Sequence, residues 1–139
     1  MIVRDLAGGI VFHSDMVLLI RNDKQEWSFP KGEIKSGADA KISAQAAARV
    51  EFETGVKCKV IAPCSKTTYE FYSIKRKKPV HNNVSWFVMS TEDGETSANE
   101  EAGIEEAVFV KVEKALDMIT YSQDKSLMML AYQRWKELV

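Results

Sequence analysis

Cysteine, proline and glycine are scarce in this sequence: 2, 3 and 7 residues among 139. The two cysteines, Cys58 and Cys64, share one apolar segment with no second pair beside them. That excludes a disulfide scaffold or a zinc knuckle and leaves buried free thiols as the expectation. No stretch rich in Pro, Ser or Gly is long enough to be an interdomain linker, and neither repeat nor low-complexity tract occurs, so one domain over residues 1–139 is expected. An excess of either charge is also lacking. With 19 basic against 20 acidic residues and a formal net charge of −1, a nucleic-acid binder working through a global positive field is excluded, and any nucleotide should be small and held locally. No apolar run reaches membrane-spanning length, and Met1-Ile2-Val3-Arg4-Asp5 sets a carboxylate where a secretory signal builds its apolar stretch. The cytoplasm is the expected compartment.

What is present is a core-sized apolar fraction, 45% of the chain, in periodic segments. Leu6 to Phe12 and Val17 to Ile20, joined across His13-Ser14-Asp15, predict a hairpin in a covered sheet. Asp39 to Thr54 is Ala-rich, without Gly or Pro, and is followed by Gly55 as a stop, which predicts a helix. Val56 to Ala62, Thr67 to Ile74 and Val84 to Met89 have strand composition, and the basic run Lys75-Arg76-Lys77-Lys78-Pro79 predicts a solvated hairpin tip. Ala107 to Val110 predicts a further strand and Glu113 to Ile119 a short helix. A second long helix closes the chain, with Ser122 as N-cap and Leu127, Ala131, Trp135 and Leu138 as its apolar stripe. This order predicts an α/β or α+β sandwich, helices covering the faces of a mixed sheet.

The stretch from Trp27 to Val56 carries the chemistry. Trp27-Ser28-Phe29-Pro30-Lys31-Gly32-Glu33 reads as a strand ending in a Pro-fixed turn, Gly37 adds a second loop glycine, and the helix has acidic residues in its last turns. Glycine lets backbone approach a ligand closely. Carboxylates gathered beside such a loop would hold a hard cation against phosphate oxygens.

With Ala46-Ala47-Ala48-Arg49 and Glu53-Thr54-Gly55-Val56 closing the helix, this stretch resembles the Nudix signature: Gly, five residues, Glu, seven residues, Arg-Glu, aliphatic, any, Glu-Glu, any, Gly, aliphatic. The resemblance covers most of the chain. Trp27 before Phe29-Pro30-Lys31-Gly32, then Tyr69-Glu70-Phe71-Tyr72 followed by His81 to Met89, and Glu105 to Val110 followed by a short helix and Tyr121, are similar to the diadenosine polyphosphate hydrolase branch. The resemblance implies a Nudix-like α/β/α sandwich that hydrolyses a phosphoanhydride in a nucleoside diphosphate derivative, dinucleoside polyphosphates included. It also implies magnesium or manganese, bridging pyrophosphate oxygens and activating water. The implied partner is a small nucleotide or polyphosphate, with neither nucleic acid nor membrane.

The box departs from the signature at definite places. Ala38 stands where Glu belongs, with Asp39 next to it; counting back from Gly55 without a gap, Glu53 matches the second Glu of the pair, Phe52 replaces the first, Arg49 falls at the Glu of Arg-Glu and Ala48 at its Arg. Taking Arg49 as the family's Arg instead requires one residue deleted after it and still leaves Phe52 at the first Glu of the pair. Val50 and Arg49 are the residues three and four before Glu53, whereas Glu51 points to another side of the helix. Carried over residue by residue, the resemblance implies Glu53 and Glu101 as catalytic, and Gly32, Glu51, Glu53 and Glu100 as metal ligands. It implies Lys31, Arg49 and Tyr69 as substrate-binding, with Glu33, Asp39 and Glu105 as further acids that could complete the site. Plainer readings stand beside these. Glu53 could pair with Arg49 one turn back for a few tenths of a kcal/mol, Lys31 could be a solvated turn residue, and Tyr69 a strand aromatic. His13 and His81 lack a local ligand partner. Phe52 and Arg49 favour a competing function, a Nudix-fold nucleotide-binding or regulatory module with little or no turnover.

Overall fold

The side chains of residues 6–12 are all buried along one strand, the pattern of a strand covered on both faces. The computed structural model describes residues 1–35 and 40–139. In chain order these form β1 (Ile2–His13), β2 (Met16–Asn22), β3 (Trp27–Ser28), β4 (Lys31–Glu33), α1 (Ile42–Thr54), β5 (Lys59–Ser73), β6 (Lys78–Ser90), a 3-10 turn at Glu100–Ala102, β7 (Ile104–Lys111), α2 (Val112–Met118) and α3 (Ser122–Leu138).

The strands make one mixed sheet in the order β3-β2-β1-β6-β5, with β4 also on β1 and β7 also on β2. β1 runs parallel to β6 from Ile2↔Val80 to Phe12↔Ser90. On its other edge β1 meets β2 at Phe12↔Val17 and His13↔Met16, and β4 pairs with Leu6, Ala7 and Gly8. This places Lys31 and Gly32 at the sheet edge where α1 crosses.

The alternation of β1 sorts the core into two layers. Leu6, Ile10 and Phe12 join Val84, Trp86 and Val88 on one face, under Leu127, Met128 and Ala131 of α3 and Ala115 of α2. Ala7 and Val11 join Leu18, Ile20 and Met89 on the other, under Ala46 and Val50 of α1. Phe12 stacks on Trp135 with ring centroids 5.3 Å apart. Each such buried side chain contributes roughly 1.5–3 kcal/mol. The predicted sandwich of helices around a mixed sheet is therefore the architecture observed.

Local differences have physical causes. Of the stretches Val56 to Ala62 and Thr67 to Ile74, predicted as separate strands, the parts from Lys59 to Ala62 and from Thr67 to Ser73 belong to the single strand β5, which has register shifts between Val60 and Ala62 and between Pro63 and Ser65. Val56 to Cys58 precede it and Ile74 lies in the following turn. β5 lies at the sheet edge, where the missing N–H of Pro63 costs little. Lys78 and Pro79 extend β6, so the basic hairpin tip is shorter than the run suggests. Tyr121 occupies the N-cap of α3 and Ser122 is its first helical residue. Leu138, predicted in the apolar stripe, is exposed as the last residue of α3. Cys64 is buried, Cys58 is half-buried, and both are free. The predicted start of the first helix at Asp39, together with Gly37 and Ala38, lies outside the described residues. Among the described residues no helix is long and apolar enough to cross a membrane.

Candidate functional site at the end of the first helix

The site forms where the last turns of α1 meet β4. Gly32 faces α1, and any side chain there would meet Arg49: a Cβ would collide with its Nε and stand 2.8 Å from its Cζ and Nη2. The glycine thus admits a protein side chain, a role different from the ligand approach its loop position suggests. That guanidinium also lies over the Phe52 ring, with Cζ 4.6 Å from the ring centroid. Arg49, Phe52 and Glu53 share a face because they stand three and four residues apart on the helix.

Glu53 points inward. Its side chain is 8% exposed, and its Oε1 accepts the backbone N–H of Lys31 at 3.1 Å. Burial pushes its carboxyl up from 4.5 to about 7, although the Lys31 N–H and the charges of Lys31 and Arg49 pull the other way. The helix end is fixed just as firmly. Gly55 adopts φ 74° as the C-cap and donates its N–H to Glu51 O. Asn99 donates through Nδ2 to Phe52 O at 3.0 Å and through its backbone N–H to Glu53 O at 3.0 Å, and Ser97 N–H reaches Thr54 O at 2.7 Å. All four carbonyls that a helix end leaves open are satisfied, three of them by one loop.

The other expected site residues scatter around this centre. Lys31 extends its Nζ over the Tyr69 ring, 5.6 Å from the centroid, and Tyr69 stacks on Phe71. Glu51 is exposed on a different side of α1, where its charge adds to the burial that raises the Cys58 thiol to about 12. Glu100 and Glu101 are exposed in the 3-10 turn, and Glu100 lines an open groove with Asp23, Gly103 and Glu105. Glu33 pairs with Arg4 at 3.8 Å and Glu105 with Arg21 at 3.0 Å. Asp39 lies outside the described residues.

Two acids beside Lys31 were not anticipated. Glu26 accepts the Tyr121 hydroxyl, and that bond chiefly holds the Glu26 carboxyl below its ordinary range while raising the tyrosine. Asp124, in the first turn of α3, is raised by burial and lowered by the Lys31 charge. Their only sequence signal was Tyr121 and an acid near a helix start.

Among the described residues no three of His, Cys, Asp and Glu gather where they could hold a metal ion. Glu53 is the single inward carboxylate of the helix face, one of its oxygens is engaged by Lys31, and the guanidinium of Arg49 stands one turn away. These described residues do not fit a divalent cation, and Glu51, Glu100 and Glu101 do not converge on Glu53 to complete a set.

Fold and site together define an α/β/α protein in which a glycine-containing strand is set against an oriented helix carboxylate. The chain belongs to the NUDIX domain family, whose model matches residues 3–130. It is 30% identical over 107 residues to a Mycobacterium tuberculosis protein that carries the mutator-protein name MutT4, an alignment covering 77% of this chain and 41% of that protein. The chain thus spans less than half the length of that relative. Among solved structures, a NUDIX hydrolase from Nitrosomonas europaea superposes with TM-score 0.72 at 13% identity, covering 98% of this chain and 74% of that one. A C. elegans Ap4A hydrolase binary complex gives TM-score 0.67 at 14% identity, covering 96% and 98%. These two likenesses show the fold.

Proposed function

We propose that the chain, acting as one Nudix-like unit, is a pyrophosphohydrolase that cleaves a phosphoanhydride in a nucleoside diphosphate derivative, dinucleoside polyphosphates included. The observation that carries this reading is the Glu53 carboxylate, buried at the helix end and aimed by the Lys31 N–H at the strand that follows Pro30. In the reaction, water adds to phosphorus, the bridging oxygen leaves with the second phosphate, and Glu53 takes the proton of the attacking water. Lys31 supplies a cation for phosphate, and the Tyr69 ring beneath its Nζ holds that cation in place. Glu101 stays a surface acid in this reading. The magnesium or manganese requirement implied by the sequence has one described carboxylate to rest on, so no step is assigned to a metal.

The test is product release from a panel of nucleoside triphosphates, nucleoside diphosphate sugars and diadenosine polyphosphates, each with chelator, with magnesium and with manganese. Release of phosphate esters from at least one class supports hydrolysis. Binding without release from any class would establish the second reading, a nucleotide-binding module, which Phe52 and Arg49 at two acidic positions favour.

A further inference from the structure

The guanidinium of Arg49 is held in place without a pairing acid among the described residues. Among the described residues its Nε, which is buried, has no hydrogen-bond partner and Arg49 makes no ion pair, Glu53 being engaged instead with the Lys31 N–H. A buried donor without an acceptor is a costly arrangement that a folded protein ordinarily avoids. Two features nevertheless preserve it: Gly32 has no Cβ to displace the group, and the guanidinium lies over the Phe52 ring. Phe52 itself is 53% exposed and belongs to neither core layer, so the guanidinium over its ring accounts for its position better than packing does.

We propose that Arg49 is a built-in phosphate-binding cation, seated against Gly32 and over Phe52, through which the chain binds the phosphoanhydride of its nucleotide without a divalent metal. This rests on the reading that the site takes a nucleotide phosphoanhydride, and not on whether that bond is then cleaved. A guanidinium presents planar, paired donors that match phosphate oxygens, and stacking on a ring fixes its plane while leaving its edge for the anion. The Nε edge is packed against Gly32, so an anion would meet the terminal nitrogens of the guanidinium. The disagreement between the box and a metal site then has one cause: the positive charge that phosphate requires is carried by the chain.

Titration calorimetry with ADP and with inorganic pyrophosphate, in excess EDTA and again in magnesium, tests this on wild type, Arg49→Gln, Arg49→Lys and Gly32→Ala, with thermal unfolding to confirm folding. Wild type should bind both ligands in EDTA within about threefold of its magnesium affinity. Arg49→Gln should lose about 10- to 100-fold in EDTA, the range of a charged hydrogen bond. Arg49→Lys should weaken binding although it keeps the charge, and Gly32→Ala should do the same because its Cβ takes the guanidinium's place. If Gly32→Ala does not fold, the Gln and Lys variants decide. Binding that requires magnesium, or an Arg49→Gln affinity equal to wild type in EDTA, would overturn the proposal. Binding in EDTA without product release sustains it and removes the hydrolase reading; magnesium-dependent turnover without binding in EDTA does the reverse.

Discussion

Glu53 of α1 and Lys31 of β4, 22 residues apart, are joined by a 3.1 Å hydrogen bond from the lysine backbone N–H to the glutamate carboxylate. The bond ties the helix end to the strand following Pro30 and turns an acid inward that helix periodicity alone leaves free to face solvent. It only partly offsets the cost of burial, since the carboxyl still rises to about 7.

That balance sets a pH dependence. Folding raises the Glu53 carboxyl from 4.5 to about 7, so the folded protein holds the proton more tightly than the unfolded chain. Its contribution is fully present below about 4.5, is lost as pH rises to about 7, and is flat above that. The loss amounts to about 3 kcal/mol. Glu53→Gln should therefore be more stable than wild type at pH 8 by a margin of this order, shrinking toward pH 4.5. Urea denaturation across that range measures it, and a margin independent of pH would rule this explanation out.

Asn99 fastens the loop after β6 to the site. Its Nδ2 donates to Phe52 O at 3.0 Å and its Oδ1 accepts from Ala102 N–H at 3.2 Å. Asn99→Ala should cost about 1–2 kcal/mol of stability, as for the loss of a helix cap. Denaturant titration gives the number; a change below about 0.3 kcal/mol would show that the loop is held by its backbone bonds alone.

Restoring the missing acids should create what the described residues lack. With Arg49→Glu and Phe52→Glu together, carboxylates would stand at 49, 52 and 53 on one helix face. Saturating magnesium should then raise the unfolding free energy of the double variant by about 1–3 kcal/mol and leave wild type nearly unchanged. An equal magnesium effect on both proteins would mean that wild type already holds the ion.

Much of the fold was legible in local pattern. The apolar run from Leu6 to Phe12, the Gly55 stop and the Leu127–Ala131 spacing each named an element that formed. The failures were where distant residues decide: whether the segments up to Ala62 and from Thr67 join depends on how the edge strand shifts register at Pro63. Within the site, Glu53 was legible because the motif counts back from Gly55. The reason for Gly32 was not, since it lies in the side chain of Arg49, and neither was the Glu26 bond to Tyr121, which spans most of the chain.

Comparison of kcat/KM for wild type and Glu53→Gln, on whichever class of phosphoanhydride the wild type cleaves fastest, tests the central claim most directly. A positioned general base accounts for about 10²- to 10⁴-fold in rate. Glu53→Gln should fall by at least about 100-fold while its thermal unfolding shows an intact fold. A folded Glu53→Gln protein that turns over as fast as wild type would contradict the assignment of this carboxylate to the chemistry.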